Sequence, residues 1–273
     1  MVPSSPLRYP GGKAFLSSRF SKIIENNGLR RPVYIEPFAG GAGAALSLLF
    51  SNKVRKIVIN DLDYCIYSFW YSVVNHNRKF INKILSTPIT IDEWKIQKQI
   101  YKSSKSKIFE RGFATFFLNR TNAYGIINAN PIGGIKQNGK YKIDARFNKK
   151  GLIDRIQRIA KFKSKIVVSN EDGLQVFKRY SEITNTFIYL DPPYFAEGYA
   201  LYLNVKDKDY HNKLAKTLNK SNKAHWVLTY DENRRVRDLY SDRNRNRLSF
   251  KYRTTRIRNA RELMVYSDSL VRI

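Results

Sequence analysis

The fold is indicated most clearly by the stretch Val33-Tyr34-Ile35-Glu36-Pro37-Phe38-Ala39-Gly40-Gly41-Ala42-Gly43. A short apolar run leads into a glycine-rich turn, and the apolar residues from Ala44 to Phe50 predict a helix after it. Glycines let a ligand approach the backbone closely, and a helix that begins there offers unpaired N–H groups. The spacing differs from the G-x-G-x-x-G of dinucleotide sites. The stretch therefore predicts strand, turn and helix, with ligand binding as one use of the turn.

Short apolar runs of the same kind recur along the chain. They are Ile57-Val58-Ile59, Ile166-Val167-Val168, Phe187-Ile188-Tyr189-Leu190 and Trp226-Val227-Leu228. Short, nearly unbroken apolar runs are typical of strands that are buried on both faces. Their alternation with helices predicts a mostly parallel, doubly wound α/β sheet. Leu248 to Arg253 and Leu263 to Ser267 predict a C-terminal hairpin that closes this sheet in antiparallel fashion.

The pattern changes between Asp61 and Lys165. Apolar residues recur there at helical spacing, Thr90 and Glu93 form a candidate capping box, and a segment rich in Gly, Asn and Pro spans 128–134. A regular crossover between parallel strands does not need so many residues. We therefore predict a helical subdomain of residues 62–164, inserted into a domain made of residues 1–61 and 165–273.

The charge of the 273-residue chain is strongly positive. Fifty Lys and Arg residues against 22 Asp and Glu give a net charge of +28. Because each neutralised phosphate releases condensed counterions, such an excess indicates a nucleic-acid partner, either DNA or RNA. One basic group follows the 128–134 segment and a second lies near the C-terminus. Some members of each group are expected to contact phosphates, and the alternative is that the groups form a solvated face of the protein. The first group is Lys136, Lys140, Lys142 and Arg146, and the second is Arg243, Arg245, Arg247, Lys251, Arg253, Arg256, Arg258 and Arg261.

Cysteine and histidine are scarce. A single cysteine, Cys65, excludes a disulfide framework and a cysteine zinc site, and the three scattered histidines do not have metal-ligand spacing. We expect no metal. Residues 1–12 lack an apolar signal core and no run reaches membrane-spanning length, which predicts a cytoplasmic protein without a membrane partner.

Acidic residues follow two of the predicted strands. Asp61 ends the second strand, where an acidic residue of a doubly wound fold can hold ribose hydroxyls, and helix capping is the alternative. Asp172, in Asn170-Glu171-Asp172, follows the third strand, where it can either stand at a helix N-terminus or accept a hydrogen bond from a ligand's amino group. Both side chains are candidates for binding a nucleoside ligand.

The stretch Asp191-Pro192-Pro193-Tyr194 follows the strand at 187–190 directly. The prolines hold a stiff turn that offers carbonyl acceptors but no N–H donors. A carboxylate and a carbonyl can together accept both hydrogens of an exocyclic amine, and Tyr194 offers a flat face on which a base can stack. A simple Pro-Pro turn at a strand end would explain the prolines but neither flanking residue.

These motifs, taken in order, resemble the Dam-like (D12) class of adenine-specific DNA N6-methyltransferases over nearly the whole chain. The similar segments are Leu7 to Lys13, Glu36 to Gly43, Asn60-Asp61, Phe117 to Asn122, Asp191 to Tyr194 and Arg261 to Tyr266. The resemblance implies a Rossmann-like methyltransferase sheet, with S-adenosylmethionine as methyl donor. It also implies that the inserted segment recognises the target sequence.

The resemblance implies a role for each matching residue. Tyr9 and Lys13 would pack against the cofactor, Phe38 and Gly40 would shape the pocket for its methionine part, and Asp61 would hold its ribose. Asp172 is the candidate for the cofactor's adenine amino group. The full cofactor set is Tyr9, Lys13, Glu36, Phe38, Gly40, Gly41, Gly43, Asp61, Asp172 and Asp191.

The catalytic set that the resemblance implies is Asp191, Pro192, Pro193 and Tyr194. Asp191 and the Pro192 carbonyl would hold the amine of an adenine rotated out of double-stranded DNA, and Tyr194 would stack on that base. Arg and Asn are the usual side chains that recognise guanine and adenine. The expected DNA contacts are Arg8, Arg120, Asn122, Tyr124, Lys136 and Lys140, and the DNA sequence recognised stays open.

Other functions share part of this pattern. Cytosine-N4 methyltransferases more often have Ser where Asp191 stands, and the protein-glutamine class resembles Asn there. Methylation of RNA adenine and a non-catalytic DNA-binding homologue are further alternatives. A cognate restriction endonuclease encoded elsewhere and a location at the nucleoid are further expectations.

Overall fold

The computed structural model describes residues 4–9, 12–194, 209–253 and 257–271, with side chains throughout these ranges except at 250–260. Seven strands of the described chain form one sheet: β1 (Val33–Glu36), β2 (Lys56–Asn60), β3 (Ile166–Ser169), β4 (Thr186–Leu190), β5 (Trp226–Asp231), β6 (Arg245–Arg253) and β7 (Ile257–Tyr266). The helices are α1 (Ser17–Asn26), α2 (Gly43–Phe50), α3 (Tyr64–Asn75), α4 (Asn77–Ser86), α5 (Ile91–Lys102), α6 (Ile108–Thr121), α7 (Lys149–Ala160), α8 (Gly173–Ser181), α9 (Tyr210–Lys220) and α10 (Arg234–Leu239).

The strand order is β3-β2-β1-β4-β5-β7-β6. The first five strands pair in parallel, and β7 runs antiparallel to both β5 and β6. The predicted mostly parallel sheet with a C-terminal hairpin is thus confirmed. Because the strand order reverses between β1 and β4, their carboxyl ends flank the crevice in which doubly wound sheets bind ligands. Glu36 and Asp191 lie at these two ends.

Both faces of the sheet are covered, which explains the unbroken apolar runs. All five residues of β4 are buried. One face packs on α1, α2 and the helices between β2 and β3, and the other packs on α8, α9 and α10. Phe187 and Ile188, neighbours on β4, point into these two different cores.

Helices α3 to α7 lie between β2 and β3, within the segment for which an insertion was predicted. Their core is aromatic: Phe69 of α3 stacks on Phe116 of α6 at 5.9 Å, and Phe80 of α4 packs edge-on against the same ring at 5.4 Å. This core is continuous with the core on one face of the sheet. The helical segment is therefore anchored on the sheet by buried apolar contacts.

Short polar side chains cap the starts of three of these helices. Asp63 caps α3, Thr90 caps α5 and Asn148 caps α7, each accepting a hydrogen bond from a backbone N–H of the first turn. The predicted capping box at Thr90 is half formed. The Thr90 hydroxyl accepts from the Glu93 N–H, whereas the Glu93 carboxylate accepts from Gln97 instead of reaching back.

Candidate active site

The glycine-rich loop after β1 is held from three sides. The ring of Tyr9 lies so close that a Cβ at Gly40 would come within 2.7 Å of it, and a Cβ at Gly41 would come within 2.8 Å of the Tyr9 Cβ. Gly40 also has φ +45°, in the left-handed region that glycine tolerates. Its N–H donates to Asp61 Oδ2 at 2.8 Å, and its carbonyl accepts from Trp70 Nε1 at 2.8 Å. These contacts require glycine at both positions.

Glu36 and Gly43, at the two ends of this loop, have packing roles in the structure. The buried Glu36 carboxylate accepts hydrogen bonds from the Tyr34 hydroxyl at 2.9 Å and the Ala45 N–H at 3.1 Å, which ties β1 to α2. Burial raises the pKa of Glu36 to about 8. A Cβ at Gly43 would lie 2.9 Å from the Cβ of Ala14, so glycine lets α2 approach the N-terminal segment.

Asp61 is not the cap of the helix that follows it, because Asp63 takes that role by accepting from the Cys65 N–H at 2.7 Å. The Asp61 carboxylate instead faces the glycine-rich loop and accepts from the N–H groups of Gly40 and Asp63. Burial, followed by the nearby charge of Asp63, raises the pKa of Asp61 to about 7. A carboxylate with spare acceptor positions therefore sits at the end of β2, where ribose binding was expected.

Phe38 and Asp172 meet at the start of α8. The Phe38 ring lies directly over Gly173, since a Cβ there would come within 2.4 Å of the ring, and its edge packs on Tyr210 at 6.4 Å between centroids. Asp172 caps α8: its Oδ1 accepts from the N–H groups of Leu174 at 2.9 Å and Gln175 at 3.2 Å. Asp172 thus stands at the helix N-terminus and uses Oδ1 to cap it, which was one of its two predicted roles.

Asp191, at the end of β4, is held by hydrogen bonds to both carboxylate oxygens. Oδ1 accepts from the Thr229 hydroxyl at 2.8 Å, and Oδ2 accepts from Lys13 Nζ at 3.1 Å, while the Tyr194 hydroxyl oxygen lies 3.3 Å from Oδ1. The Asp191 side chain keeps 23% of its surface exposed. Pro192 is buried behind it. The carboxylate is therefore fixed in orientation and still open to a ligand.

Lys13 joins Asp191 to a second carboxylate. The buried Lys13 ammonium lies 3.1 Å from Oε1 of Glu262, which is 1% exposed, and the Tyr194 hydroxyl donates to the same oxygen. Burial and the charge of Asp191 raise the pKa of Glu262, and Lys13 opposes this rise. Lys13, which was expected to pack against the cofactor, lies against the turn from Asp191 to Tyr194 in this structure.

Two residues of this cluster, Thr229 and Glu262, were not among the site residues predicted from sequence. Thr229 lies on β5 and Glu262 on β7, and the antiparallel register that pairs Asp231 with Glu262 brings both strands to the end of β4. Glu262 stands within the segment from Arg261 to Tyr266 that carried the family resemblance. That motif could have identified Glu262 as a site residue, whereas the sequence around Thr229 does not indicate a role in the site.

The segment expected to recognise DNA begins in the last turn of α6 and is built around two buried asparagines; we call it the recognition segment. Asn119 accepts from the Arg8 N–H at 2.7 Å and donates to the carbonyls of Arg8 and Gly125, both at 2.9 Å. Asn122 is fully buried: its Oδ1 accepts from Trp94 Nε1 at 2.6 Å and its Nδ2 donates to the carbonyls of Ile126 and Ile127. Asn122 was expected to contact a base, but these bonds use its amide to hold the loop.

The other expected DNA contacts divide into exposed and buried residues. Tyr124 is 42% exposed at a turn where its φ is +56°, and Lys136 and Lys140 are also exposed. Arg8 is partly buried and Arg120 is 8% exposed. The exposed three can reach a nucleic acid directly, whereas Arg120 is buried and Arg8 is only partly exposed.

The C-terminal basic group is partly committed to the protein. Arg243, only 8% exposed, pairs with Asp268 and also binds Asn219, so the protein itself holds the side chain of this member of the group. Arg247 donates to Glu232 at 2.7 Å. The side chains of Lys251, Arg253, Arg256 and Arg258 lie outside the described residues.

Two absences hold for the described residues. No helix in the described ranges has the length and apolar character that crossing a membrane requires. Within the same ranges, no group of three or more His, Cys, Asp or Glu side chains is arranged to hold a metal ion.

The doubly wound sheet, the glycine-rich loop at its switch point and the Asp-Pro-Pro-Tyr turn at the end of β4 together define a Rossmann-like methyltransferase. The model of the D12 class of N6 adenine-specific DNA methyltransferases matches residues 9–255, and the chain belongs to that family. It is thus an adenine-specific DNA methyltransferase, and the resemblance drawn from its motifs is confirmed.

A curated relative agrees with this assignment. The type II methyltransferase M.MjaIII of Methanocaldococcus jannaschii is 26% identical over 204 residues, which cover 69% of this chain and 68% of the relative. Among solved structures, the rRNA methyltransferase aviRa of Streptomyces viridochromogenes aligns over 96% of this chain and 88% of its own, with 13% identity and a TM-score of 0.38. Structural similarity at that level carries no argument about the substrate, and the assignment rests on the family.

Proposed function

We propose that this protein transfers a methyl group from S-adenosylmethionine to N6 of an adenine that has been rotated out of double-stranded DNA. The observation that carries the proposal is the fixed but accessible Asp191 carboxylate, at a proline turn beside the sheet's switch point. Adenine cannot react inside the duplex, and extrusion costs a few kcal/mol in lost pairing and stacking. A site that holds the extruded base offsets part of that cost.

The residues at the carboxyl edge of the sheet fit S-adenosylmethionine. The glycine-rich loop presents backbone without side chains at Gly40 and Gly41, and the carboxylate of Asp61 faces that loop. We propose that Asp61 accepts from ribose hydroxyls, that Phe38 bounds the methionine part, and that the free oxygen of Asp172 accepts from the adenine amino group. S-adenosylmethionine supplies an electrophilic methyl group carried on a sulfonium. Acidic groups near its binding site suit that positive charge.

Asp191 and the Pro192 carbonyl would hold the target amine by accepting its two hydrogens. The nitrogen lone pair, delocalised into the ring in free adenine, is then directed away from both acceptors. The carboxylate also stabilises the positive charge that develops on N6. Thr229 and Lys13 fix this carboxylate from two sides, so less orientational freedom is lost when the amine binds.

Tyr194 would provide the stacking face for the extruded base. Its hydroxyl is held by Glu262, and its ring lies 6.1 Å from that of Tyr230. Because Glu262 and Lys13 also contact each other, the base-stacking ring and the amine-holding carboxylate are positioned by one buried ion pair. This cluster couples stacking to amine binding.

DNA would be bound chiefly by the segment predicted as residues 62–164. We propose that Lys136 and Lys140 contact phosphates and that Tyr124 contacts bases beside the target, since all three side chains are exposed. A cognate restriction endonuclease and a place at the nucleoid stay predictions.

The proposal is tested with Asp191→Ala and, as a matched control, Asp154→Ala on the exposed face of α7. Loss of one positioned group that stabilises developing charge typically lowers turnover by 100-fold or more. Asp191→Ala is expected to lose at least about 100-fold in labelled methyl transfer to DNA while its circular dichroism stays that of wild type. The control keeps full activity. Near-wild-type turnover of folded Asp191→Ala contradicts the proposal.

A further inference from the structure

Four arginines from separate segments converge beside the recognition segment. They are Arg8 near the N-terminus, Arg120 at the end of α6, Arg146 between α6 and α7, and Arg155 on α7. Arg120 donates to the carbonyl of Arg146, Arg155 donates to the carbonyl of Ser5 at 3.3 Å, and Arg8 donates to the carbonyl of Asn122 at 3.2 Å. The tertiary fold thus gathers four positive charges; we call them the arginine cluster.

The arginine cluster is not neutralised by the protein. Within the described ranges, none of its four guanidinium groups forms an ion pair with a carboxylate, and their hydrogen bonds go to backbone carbonyls. Arg120 is 8% exposed, and its Nε is buried without a hydrogen-bond partner, as is the Nε of Arg155. Burial, followed by the charges of Arg8, Arg155 and Arg146, lowers the pKa of Arg120 to about 9. Buried charges and buried unpaired donors are both costly.

Two other buried cations of this chain do pair with carboxylates. Arg243 is as buried as Arg120 but pairs with Asp268, and Lys13 pairs with both Asp191 and Glu262. The contrast shows that this fold supplies carboxylates to its buried cations elsewhere. A set of like charges without a carboxylate is the arrangement expected of a site for an anion from outside the chain.

We propose that Arg8, Arg120, Arg146 and Arg155 form a site for a phosphate group, and that in the proposed function this is a backbone phosphate of the DNA. Guanidinium groups bind phosphate oxygens through paired N–H donors, and a backbone phosphate offers its two non-bridging oxygens to several guanidinium groups at once. Arg146 is exposed, with Arg8 and Arg155 partly so, which gives a phosphate access to the cluster.

The position of the cluster explains why a DNA phosphate would bind there. Gly125, next to the exposed Tyr124, packs so tightly on Arg8 that a Cβ at Gly125 would lie 2.3 Å from the Arg8 carbonyl oxygen. A phosphate held by Arg8 therefore lies beside the turn that carries Tyr124. Arg120, expected from sequence to contact a base, instead forms the buried floor of this site. Phosphate contacts fix the position of a strand and leave base recognition to its neighbours.

The site is tested with Arg155→Gln, and with Arg158→Gln as a control that removes the same charge from an exposed position of the same helix. The first probe is inorganic phosphate without DNA, followed by thermal unfolding against chloride at equal ionic strength. Phosphate is expected to stabilise wild type and Arg158→Gln, with the stabilisation absent in Arg155→Gln. Equal effects of phosphate and chloride on wild type overturn the site.

A second measurement identifies the source of the phosphate. For a duplex titrated at rising salt, the slope of log affinity against log salt becomes shallower by about 0.9 for each phosphate that the protein no longer neutralises. Arg155→Gln is expected to neutralise about one phosphate fewer than Arg158→Gln and to bind the duplex at least about fivefold more weakly. If phosphate protects the protein but both variants bind DNA alike, the source is a free phosphate compound and the DNA assignment is overturned.

The phosphate site rests on the proposed function only in taking its phosphate from DNA. A methyl-transfer assay distinguishes failure of the site from failure of the proposed function. The control Arg158→Gln should retain wild-type methyl transfer, whereas Arg155→Gln should raise the DNA concentration that half-saturates methyl transfer, because the cluster positions the strand and does not touch the reacting atoms. Phosphate stabilisation in a wild-type protein that fails to methylate DNA would support the site and contradict the proposed function. Full methylation of DNA by a protein that phosphate does not stabilise would support the proposed function and contradict the phosphate site.

Discussion

Gly173→Ala should weaken cofactor binding through Phe38. A Cβ at residue 173 would lie 2.4 Å and 2.5 Å from two carbons of the Phe38 ring, about 1 Å closer than ordinary van der Waals contact. The backbone at Gly173 does not require glycine, since its φ is not in the left-handed region. The clash must therefore be relieved by displacing the ring, and forced overpacking of this kind costs about 1–3 kcal/mol.

If the ring moves out of the pocket that we assign to the methionine part of the cofactor, most of that cost falls on binding. A loss of about 1.4 kcal/mol is tenfold in the dissociation constant, so we expect S-adenosylmethionine to bind about tenfold more weakly. Gly151→Ala is the matched control, because residue 151 also lies in a first helical turn and a Cβ there meets its nearest atom at 3.7 Å.

Isothermal titration calorimetry with S-adenosylmethionine measures both variants, and thermal unfolding reports their stability. Gly151→Ala should bind as wild type does and be no less stable, since alanine is favoured over glycine in helices by about 1 kcal/mol. Unchanged affinity in a folded Gly173→Ala protein would refute the assignment of Phe38 to the cofactor pocket.

Two carboxylates and the tyrosine of the site make three more outcomes testable. In the proposed cofactor site, ribose hydroxyls would donate to the ionised form of Asp61, whose pKa burial raises to about 7. S-adenosylmethionine should therefore bind several-fold more tightly at pH 8 than at pH 6, and Asp61→Asn should abolish that dependence in calorimetric titrations. Burial in the folded state raises the pKa of Glu36 to about 8 and so favours its protonated form. The free energy of unfolding should therefore fall as pH rises from about 4.5 to 8, by at most about 1.4 kcal/mol per pH unit. In denaturant unfolding, Glu36→Gln should show a smaller dependence of this free energy on pH. Tyr194→Phe keeps the stacking ring but loses the hydrogen bond to Glu262, so turnover should fall while the affinity for S-adenosylmethionine stays unchanged. An equal loss of turnover in rate assays and of affinity in binding assays would indicate a structural role.

The parts of the fold that follow from local pattern were predictable from sequence. Buried strands carry continuous apolar runs, so β1 to β5 and the parallel sheet could be predicted from short windows. The Asp-Pro-Pro-Tyr turn was recognisable because Asp191, two prolines and Tyr194 are contiguous. The placement of Asp191 at a strand end followed from the same local signals.

The partners of these residues could not be predicted, because they are brought together by strand pairing and helix packing. Lys13 meets Asp191 across 178 positions, and Thr229 reaches it from another strand. Asn122 was predicted to contact a base because Asn is a usual reader of adenine, but Trp94 from α5 donates to its amide oxygen and Asn122 is fully buried. Polar residues in loops give no local sign of whether tertiary packing will bury them.

The identity of the methylated nucleoside decides between adenine methylation and its alternatives. Wild-type protein and Asp191→Ala are incubated with methyl-labelled S-adenosylmethionine and unmethylated double-stranded DNA, and the DNA is then digested to nucleosides. We expect label in N6-methyladenine with wild type and at least about 100-fold less with the variant. Label in N4-methylcytosine, or no label with a protein that binds both DNA and S-adenosylmethionine, would contradict the proposed reaction.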